Sequence, residues 1–365
     1  MHNLFNIRSR TPLKVNHVIQ NEVNKNKATS FDIAYKAGVS QSTVSRALRN
    51  SKLVNYETRN RIKAIAKELN YKVDKNASNL RSQQSTTIAL LLFEEPTADD
   101  SHINPFFLAM LGSITRACSA NGYDLLVSFQ QLSHDWHADY EDCHKADGII
   151  LLGYGDFEDY QEKLQQLEQQ QTHFVLWGAT DIGRPGVVIG CDNMQGGYDL
   201  TRHLISLGRK SIAYIGGISK GCPEFRDRYR GCVKAMDIAG LSFNSALQFD
   251  ALTTEQSGYQ ATLSLINSEQ CFDAIFCASD LIAVGAIKAL REKGFEVPKD
   301  VAVVGFDDIP LAEFTRPSLT TAHQDTKRAG EMLVENLLKQ IQNEPVESSL
   351  LSTRVVIRKS CGSII

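Results

Sequence analysis

The most informative stretch of the chain is residues 29–71, which read TSFDIAYKAGVSQSTVSRALRNSKLVNYETRNRIKAIAKELNY. Thr29 and Asp32 are spaced as a capping box, in which both side chains satisfy free N–H groups of a first helical turn. Gly38 is the residue type best suited to a left-handed helix end, and Ser40 can cap a following helix. The stretch therefore predicts one short helix that ends at Gly38 and a second that begins after Ser40.

Apolar side chains at helical spacing indicate three helices here. They are predicted from Thr29 to Gly38, over Gln41–Arg49 and over about Tyr56–Leu69. Their inward stripes consist of Ile33, Ala34 and Ala37, then Val44, Ala47 and Leu48, then Ile62, Ile65, Ala66 and Leu69. Two short helices joined across a glycine turn, with a third that closes the core, are typical of a helix-turn-helix unit.

Charge is distributed unevenly along the chain. Residues 1–84 hold 16 Lys and Arg against 5 Asp and Glu, whereas residues 85–365 hold 23 against 37. The net charge of −3 thus divides into +11 and −14. A basic head on an acidic body indicates a polyanionic partner for the head alone, and the alternative is a chance excess of solvated Lys and Arg.

Length and composition favour a protein of two or three compact units. The chain has 365 residues, of which 42% are apolar and 22% charged. It lacks a run of about 18 apolar residues and an apolar signal-peptide core, so neither membrane insertion nor secretion is expected. Eight cysteines without a C-x-x-C pair fit reduced cytoplasmic thiols, most of them packed as small apolar groups.

From Thr86 onward, short β-rich runs alternate with amphipathic helical stretches. This alternation predicts an α/β fold of parallel sheets with helices on both faces. About nine βα units exceed one small doubly wound sheet, so two Rossmann-like lobes are expected, with a ligand cleft beyond the carboxyl ends of the strands. The predicted strands are Ile88–Phe93, Asp124–Phe129, Gly148–Leu152, Phe174–Trp177, Ile212–Ile215, Ala274–Cys277 and Val301–Gly305. Predicted helices include Gln161–Gln170, Met194–Leu207, Glu224–Ala239, Leu281–Lys293 and Thr326–Gln342.

Motifs spread over residues 28 to about 325 match one known family. They are DIA–KAGVS, TVSRAL, ETR and LNY in the head, then NASNLR, NPFF, DGIIL, DN–GG, HLISLGRKSIAYIGG, R-Y-R-G, ASD and VVGFDD. In these motifs the chain resembles the LacI/GalR (lactose/galactose repressor) family. The resemblance implies a three-helix DNA-binding head, a hinge helix and a two-lobed core like that of periplasmic binding proteins.

The expected segments are a flexible arm (1–27), a helix-turn-helix domain (28–73), a hinge (74–85) and an effector-binding and dimerisation core (86–365). Within the core, the N-terminal lobe is assigned roughly residues 86–190 and 323–345. The C-terminal lobe is assigned roughly residues 191–322 and 346–365.

The second helix of the head is the expected recognition helix. Such a helix lies in the major groove with its N-terminal side chains at the base edges. Gln41, Ser42 and Arg46 take those positions, and Gln can pair bidentately with adenine and Arg with guanine. The hydroxyls expected to bind phosphates, which position the helix without reading sequence, are those of Ser40, Thr43 and Ser45.

Residues 74–84 (DKNASNLRSQQ) match the family's hinge helix. The resemblance implies that this segment folds on DNA and wedges Leu80 into the minor groove, with Arg81 beside the phosphates. The alternative is an inert polar linker. Two nearby positions depart from the family: Val73 replaces the usual Pro, and Arg49 stands where Asn is usual.

The resemblance also assigns effector-binding residues in the cleft. Phe106 and Phe107 fall where the family packs its ligand, with core packing as the alternative. Arg228 matches the effector-binding arginine, whose fork suits a carboxylate or paired hydroxyls, with a surface salt bridge as the alternative. Asp307 follows a strand end, where it can accept from ligand hydroxyls or cap local structure.

Three further positions shape this cleft. Ser279 sits where Asn is common in the family, and Gly178 where an acidic residue often follows the strand. Trp177 either offers an aromatic face to a sugar or is buried in the core. Because Gly178 leaves space, the pattern favours an effector larger than a monosaccharide.

The resulting interpretation is a cytoplasmic, homodimeric repressor of carbohydrate-utilisation genes, without cofactor, metal or enzymatic activity. It would bind a roughly palindromic double-stranded operator, while a small sugar shifts lobe closure and hinge folding. A purine or other metabolite is the alternative effector. A periplasmic-type sugar-binding protein is disfavoured because it would need a signal peptide and no DNA-binding head.

Two enzyme-like or metal-like patterns do not support another function. The run from Gly217 to Gly221 fits G-x-S-x-G, but a polar loop rather than a helix is predicted after Ser219. The set His134, His137, Cys143 and His144 has no standard zinc spacing.

Overall fold

The computed structural model of the chain describes residues 28–71, 85–93, 103–129, 134–153, 157–180 and 185–363. Two compact units make up the chain, residues 1–78 and residues 79–365. The predicted arm (1–27) and the hinge residues Leu80 and Arg81 lie outside the described residues.

Three helices form the first unit: α1 (Ser30–Ala37), α2 (Gln41–Leu48) and α3 (Tyr56–Glu68). The predicted capping box is confirmed, since the Asp32 carboxylate accepts from the Thr29 N–H at 2.7 Å and the Thr29 hydroxyl accepts from the Asp32 N–H. Gly38 ends α1 with a left-handed φ of +64°. The three apolar stripes meet in one core around Ile33, Val44 and Ile62.

The second unit contains two lobes, each built on a six-stranded sheet. The strands are β1 (Thr87–Leu92), β2 (Asp124–Phe129), β3 (Ile149–Leu152), β4 (Phe174–Trp177), β5 (Val187–Cys191), β6 (Ile212–Ile215), β7 (Gln248–Phe249), β8 (Ala274–Cys277), β9 (Ala302–Asp307), β10 (Thr320–His323), β11 (Ser349–Leu351) and β12 (Arg354–Val356). The order is β11-β5-β4-β3-β1-β2 in the first lobe and β12-β10-β9-β8-β6-β7 in the second. Every pair is parallel except β10–β12.

Helices cover these sheets. They are α4 (Pro105–Ala120), α5 (Phe157–Gln169), α6 (Asn193–Ser206), α7 (Pro223–Ile238), α8 (Glu255–Asn267), α9 (Asp280–Glu292), α10 (Leu311–Phe314) and α11 (Thr326–Ile341). One hydrophobic cluster runs through both lobes, from Ile88 in β1 to Cys361 near the C-terminus. All eight cysteines are free thiols, and five of them are buried, in agreement with their expected packing role. None of the helices in the described ranges is long and apolar enough to cross a membrane.

The division between the lobes corrects the sequence assignment at one point. The sequence predicts residues 346–365 in the C-terminal lobe, but β11 pairs with β5 of the first sheet, with Ser349 opposite Ile189. The chain therefore returns to the second lobe only before β12. A strand of three residues at a sheet edge has too little apolar patterning to reveal its partner, which is why the sequence misplaced it.

Candidate DNA-reading helix and effector site

The hydroxyl side chains at the start of α2 form a connected group. The Ser40 hydroxyl accepts from the Thr43 N–H at 3.3 Å. Ser40 is therefore the N-cap of α2, as predicted. Its oxygen also lies 2.9 Å from the hydroxyl oxygens of both Ser42 and Thr43. The helix start is therefore well ordered, and Ser40 and Ser42 are exposed beside it.

Arg46 and Gln41, the longest of the predicted base-reading side chains, differ in their exposure and in their contacts. Arg46 is exposed, and its guanidinium has no hydrogen-bond or ion-pair partner within the ranges that the structure describes. Gln41 is half-buried, and its Nε2 donates to the Ser30 hydroxyl of α1 at 2.8 Å. Arg46 is thus free to bind a partner, whereas Gln41 is already oriented by the neighbouring helix.

Ser45, predicted to bind phosphate, is engaged within its own helix. The Arg49 guanidinium donates to the Ser45 hydroxyl at 2.6 Å, one helical turn away. Arg49 is one of the positions that depart from the family pattern. The departure therefore brings a cation to the end of α2 and partly covers the Ser45 oxygen.

In the core, Arg228 is 1% exposed and lies at the centre of a polar cluster. Its Nε donates to the Asn193 side-chain oxygen at 2.8 Å, and its Nη1 donates to the carbonyl of Ala278. Nη1 also lies 3.6 Å from a carboxylate oxygen of Asp307. The Phe306 ring covers the guanidinium, with its centroid 3.9 Å away. Arg228 is therefore a buried, fully oriented cation, and the surface salt bridge considered for it is wrong.

Asp307 ends β9 in a backbone conformation that side-chain-bearing residues rarely adopt. Its φ is +118°, and that of the following Asp308 is +59°. Such conformations cost about 1–3 kcal/mol and concentrate at binding sites. The Asp307 carboxylate accepts from the Gln324 amide at 2.7 Å and is 3% exposed. We call Arg228, Asn193, Asp307 and Gln324 the Arg228 cluster.

Ser279 and Asp280 both accept hydrogen bonds from other groups of the core. The buried Ser279 hydroxyl accepts from the Ile282 N–H at 3.3 Å and so caps α9. Asp280 accepts from the Thr321 hydroxyl at 2.6 Å and from the Ile309 N–H at 2.8 Å. Burial, together with the charge of Asp307, raises the pKa of the Asp280 carboxyl well above its usual range. The Ser279 hydroxyl oxygen therefore caps α9.

Aromatic side chains gather at the carboxyl end of β4 in the first lobe. The rings of Phe106 and Phe107 meet edge to face at 5.2 Å, and the ring of Phe106 lies 5.9 Å from that of Trp177. All three are at most 4% exposed. Next to them, the Asn104 side-chain oxygen accepts from the Phe106 N–H, while its buried Nδ2 has no partner among the described residues. The three rings are therefore packed in the core, and the Asn104 Nδ2 beside them is a buried donor without a partner among the described residues.

Glu224 connects the two lobes. It lies in the first turn of α7, and its carboxylate accepts from the Ala179 N–H, just beyond β4, at 2.9 Å. Burial raises the pKa of the Cys191 thiol to about 12, and the charges of Arg228, Asp307 and Glu224 act on the same thiol. Glu224 lies one helical turn before Arg228 in α7, and the Arg228 Nη1 lies 3.6 Å from Asp307.

Two stretches of the chain match known family models. Residues 31–74 match bacterial regulatory proteins of the lacI family, and residues 201–361 match the periplasmic binding protein-like domain. The HTH-type transcriptional repressor PurR of Haemophilus influenzae (strain PittEE) is 31% identical over 350 residues, covering 93% of this chain and 100% of that repressor. The chain belongs to the lacI family of bacterial regulatory proteins. As a lacI-family protein it is a DNA-binding transcription regulator.

Other proteins similar to this lacI-family regulator extend the comparison. The regulator RegA of Clostridium saccharobutylicum is 33% identical over 324 residues, covering 88% of this chain and 95% of RegA. The lac repressor dimer bound to operator and the anti-inducer ONPF has a TM-score of 0.79 at 25% identity, covering 92% and 99% of the two chains. The CelR–cellobiose complex has a TM-score of 0.68 at 29% identity, covering 91% and 99%.

Three residues around the Arg228 cluster were absent from the sequence prediction for this lacI-family regulator. Glu224 precedes Arg228 by four residues, so the two share a helix face, and that spacing could have identified it. Asn193 begins α6, two residues after the end of β5, where polar residues face a cleft. Gln324 has no local signal, because it reaches Asp307 only through the pairing of β10 with β9.

In the part of the chain that the structure describes, no three His, Cys, Asp or Glu side chains are grouped to hold a metal ion.

Proposed function

We propose that this lacI-family regulator represses carbohydrate-utilisation genes from the cytoplasm and that a neutral sugar larger than one ring controls it. The observation that carries the proposal is the buried pair of Arg228 and Asp307, with Glu224 one helical turn from Arg228 and bonded to the Ala179 N–H of the first lobe. One donor group beside two carboxylate acceptors suits hydroxyls, which both donate and accept. An anionic effector would have to approach two buried carboxylates, which is electrostatically unfavourable.

A purine is the second candidate effector, and the aromatic group favours it. A planar base can stack against rings such as Phe106 and Trp177, and the free Asn104 Nδ2 could donate to a ring nitrogen or carbonyl. Similarity supports both candidates, since one relative is named a PurR repressor and one similar structure holds cellobiose.

We also propose that the regulator acts as a homodimer. Large apolar side chains are exposed on both lobes: Leu108, Val127 and Phe129 on the first, and Leu311 and Phe314 on the second, where Phe314 is 68% exposed. The similar lac repressor structure is a dimer on its operator. A two-fold dimer would place two heads on the half-sites of a palindrome.

Calorimetric titration of the full chain with mono- and disaccharides and with free purine bases tests the effector class. We expect saturable binding of a disaccharide, and loss or gain of operator binding at the same concentrations. Glu224→Gln, which keeps an acceptor but removes the charge, should weaken sugar binding by about tenfold or less. Tight binding of a nucleobase, with no heat from any sugar, would replace the sugar proposal with the purine one.

Arg46→Ala tests base reading by α2. Because Arg46 is exposed and without a partner among the described residues, its fork is available for a guanine edge. The change should cost about 1–3 kcal/mol on a selected operator and far less on random DNA at the same salt. Arg46→Lys is the matched control, since it keeps the charge but loses bidentate geometry. Equal losses on both DNAs would show that Arg46 contributes only charge.

A further inference from the structure

Gln41 and Ser30 form a hydrogen bond between the first two helices of the head. Each is the first residue of its helix, Ser30 in α1 and Gln41 in α2. The Gln41 Nε2 donates to the Ser30 hydroxyl oxygen at 2.8 Å, and both side chains are half-buried. The carboxamide of the predicted base-reading glutamine is therefore held in one orientation by a contact within the protein.

This contact changes which hydrogen bonds Gln41 can offer to a base. A carboxamide carries two N–H donors on Nε2 and one acceptor oxygen, Oε1. With one N–H held by Ser30, a single donor and a single acceptor are left to face the groove. A free glutamine could instead rotate its amide and present both N–H groups.

The remaining pair matches adenine and not guanine. In the major groove, adenine offers the acceptor N7 and the donor N6–H, so one donor and one acceptor on the protein satisfy it. Guanine offers two acceptors, N7 and O6, so the Oε1 of an oriented Gln41 would oppose an acceptor. The hydrogen bond to Ser30 therefore removes the donor pair that guanine requires.

We propose that Ser30 is a specificity-determining residue, which holds Gln41 so that it reads adenine and rejects guanine. The inference rests on the proposed reading of bases by α2. Ser30 itself touches no base in this proposal and acts as a positioning residue. It is also separable from folding, because the cap of α1 is formed by Thr29 and Asp32.

Selection of bound duplexes from a randomised DNA library by the full chain tests the proposal. Wild type should select adenine at one position of each half-site, and Gln41→Ala should erase the preference at that position. Ser30→Ala should keep adenine but admit guanine there, lowering the adenine-to-guanine ratio by about fivefold or more. Ser30→Thr, which retains the hydroxyl, should restore the wild-type ratio. Thermal unfolding should be the same for Ser30→Ala and wild type.

The outcomes separate this inference from the proposed function. If Gln41→Ala erases an adenine preference while Ser30→Ala leaves its ratio unchanged, α2 reads bases but Ser30 does not set the choice. If wild type selects guanine at the position that Gln41 controls, the amide presents two donors and the inference is overturned. If Gln41→Ala changes no position, Gln41 is not a reader, and both the inference and that part of the proposed function fail.

Discussion

Arg228→Ala should lower the free energy of unfolding of the core by about 3–5 kcal/mol and weaken effector binding by at least about tenfold. Arg228 is 1% exposed, and its loss would leave the buried Asp307 carboxylate without its cation at 3.6 Å. Asn193 and the Ala278 carbonyl would each lose a hydrogen-bond donor. Chemical denaturation followed by tryptophan fluorescence, together with calorimetric titration, measures both effects.

Arg230→Ala is the matched control on the same helix. Arg230 is 54% exposed in its side chain and pairs only with Asp227 of its own helix, at 3.0 Å, among the ion pairs of the described residues. Exposed pairs of this kind contribute about 0–1 kcal/mol to stability. Arg230→Ala should therefore lower the free energy of unfolding by no more than that amount. Equal destabilisation by the two substitutions would contradict the central role that we assign to the Arg228 cluster.

Gly197→Ala should destabilise the second lobe by about 1–3 kcal/mol and lower effector affinity with it. A Cβ at Gly197 in α6 would lie 2.2 Å from the carbonyl oxygen of Arg228 in α7. Backbone atoms cannot rotate away as a side chain can, so the two helices must move apart. The displaced residue would be Arg228, whose guanidinium lies at the centre of the Arg228 cluster. Denaturant unfolding and effector titration of the same sample measure the two effects.

Gly112→Ala is the control for a helical glycine without a packing role. Gly112 lies in α4, and a Cβ there meets nothing within 4 Å. Since alanine loses less conformational freedom than glycine on folding, stability should rise by about 0.5–1 kcal/mol. A loss with Gly112→Ala, or no loss with Gly197→Ala, would contradict the close packing of α6 on α7 as the reason for glycine at position 197.

Features that depend on near neighbours could be predicted from the sequence. The capping box of Thr29 and Asp32, the left-handed Gly38 and the cap at Ser40 each act over three or four residues, and each is confirmed. Strands such as β3, buried along its whole length, appear as short apolar runs bounded by turn residues. The seven predicted strands agree with the structure to within two residues at each end.

By itself, the sequence determined the family, the helix-turn-helix head and the two α/β lobes, and it predicted Arg228 and Asp307 in one cleft but not their contact. Only the tertiary structure decided that β11 joins the first sheet and that Gln41 is held by Ser30. It also decided that Glu224 reaches Ala179, 45 residues away, across the two lobes. Hydrogen bonds between distant residues leave no periodicity in either segment, because their partners meet only after the sheets and helices have packed.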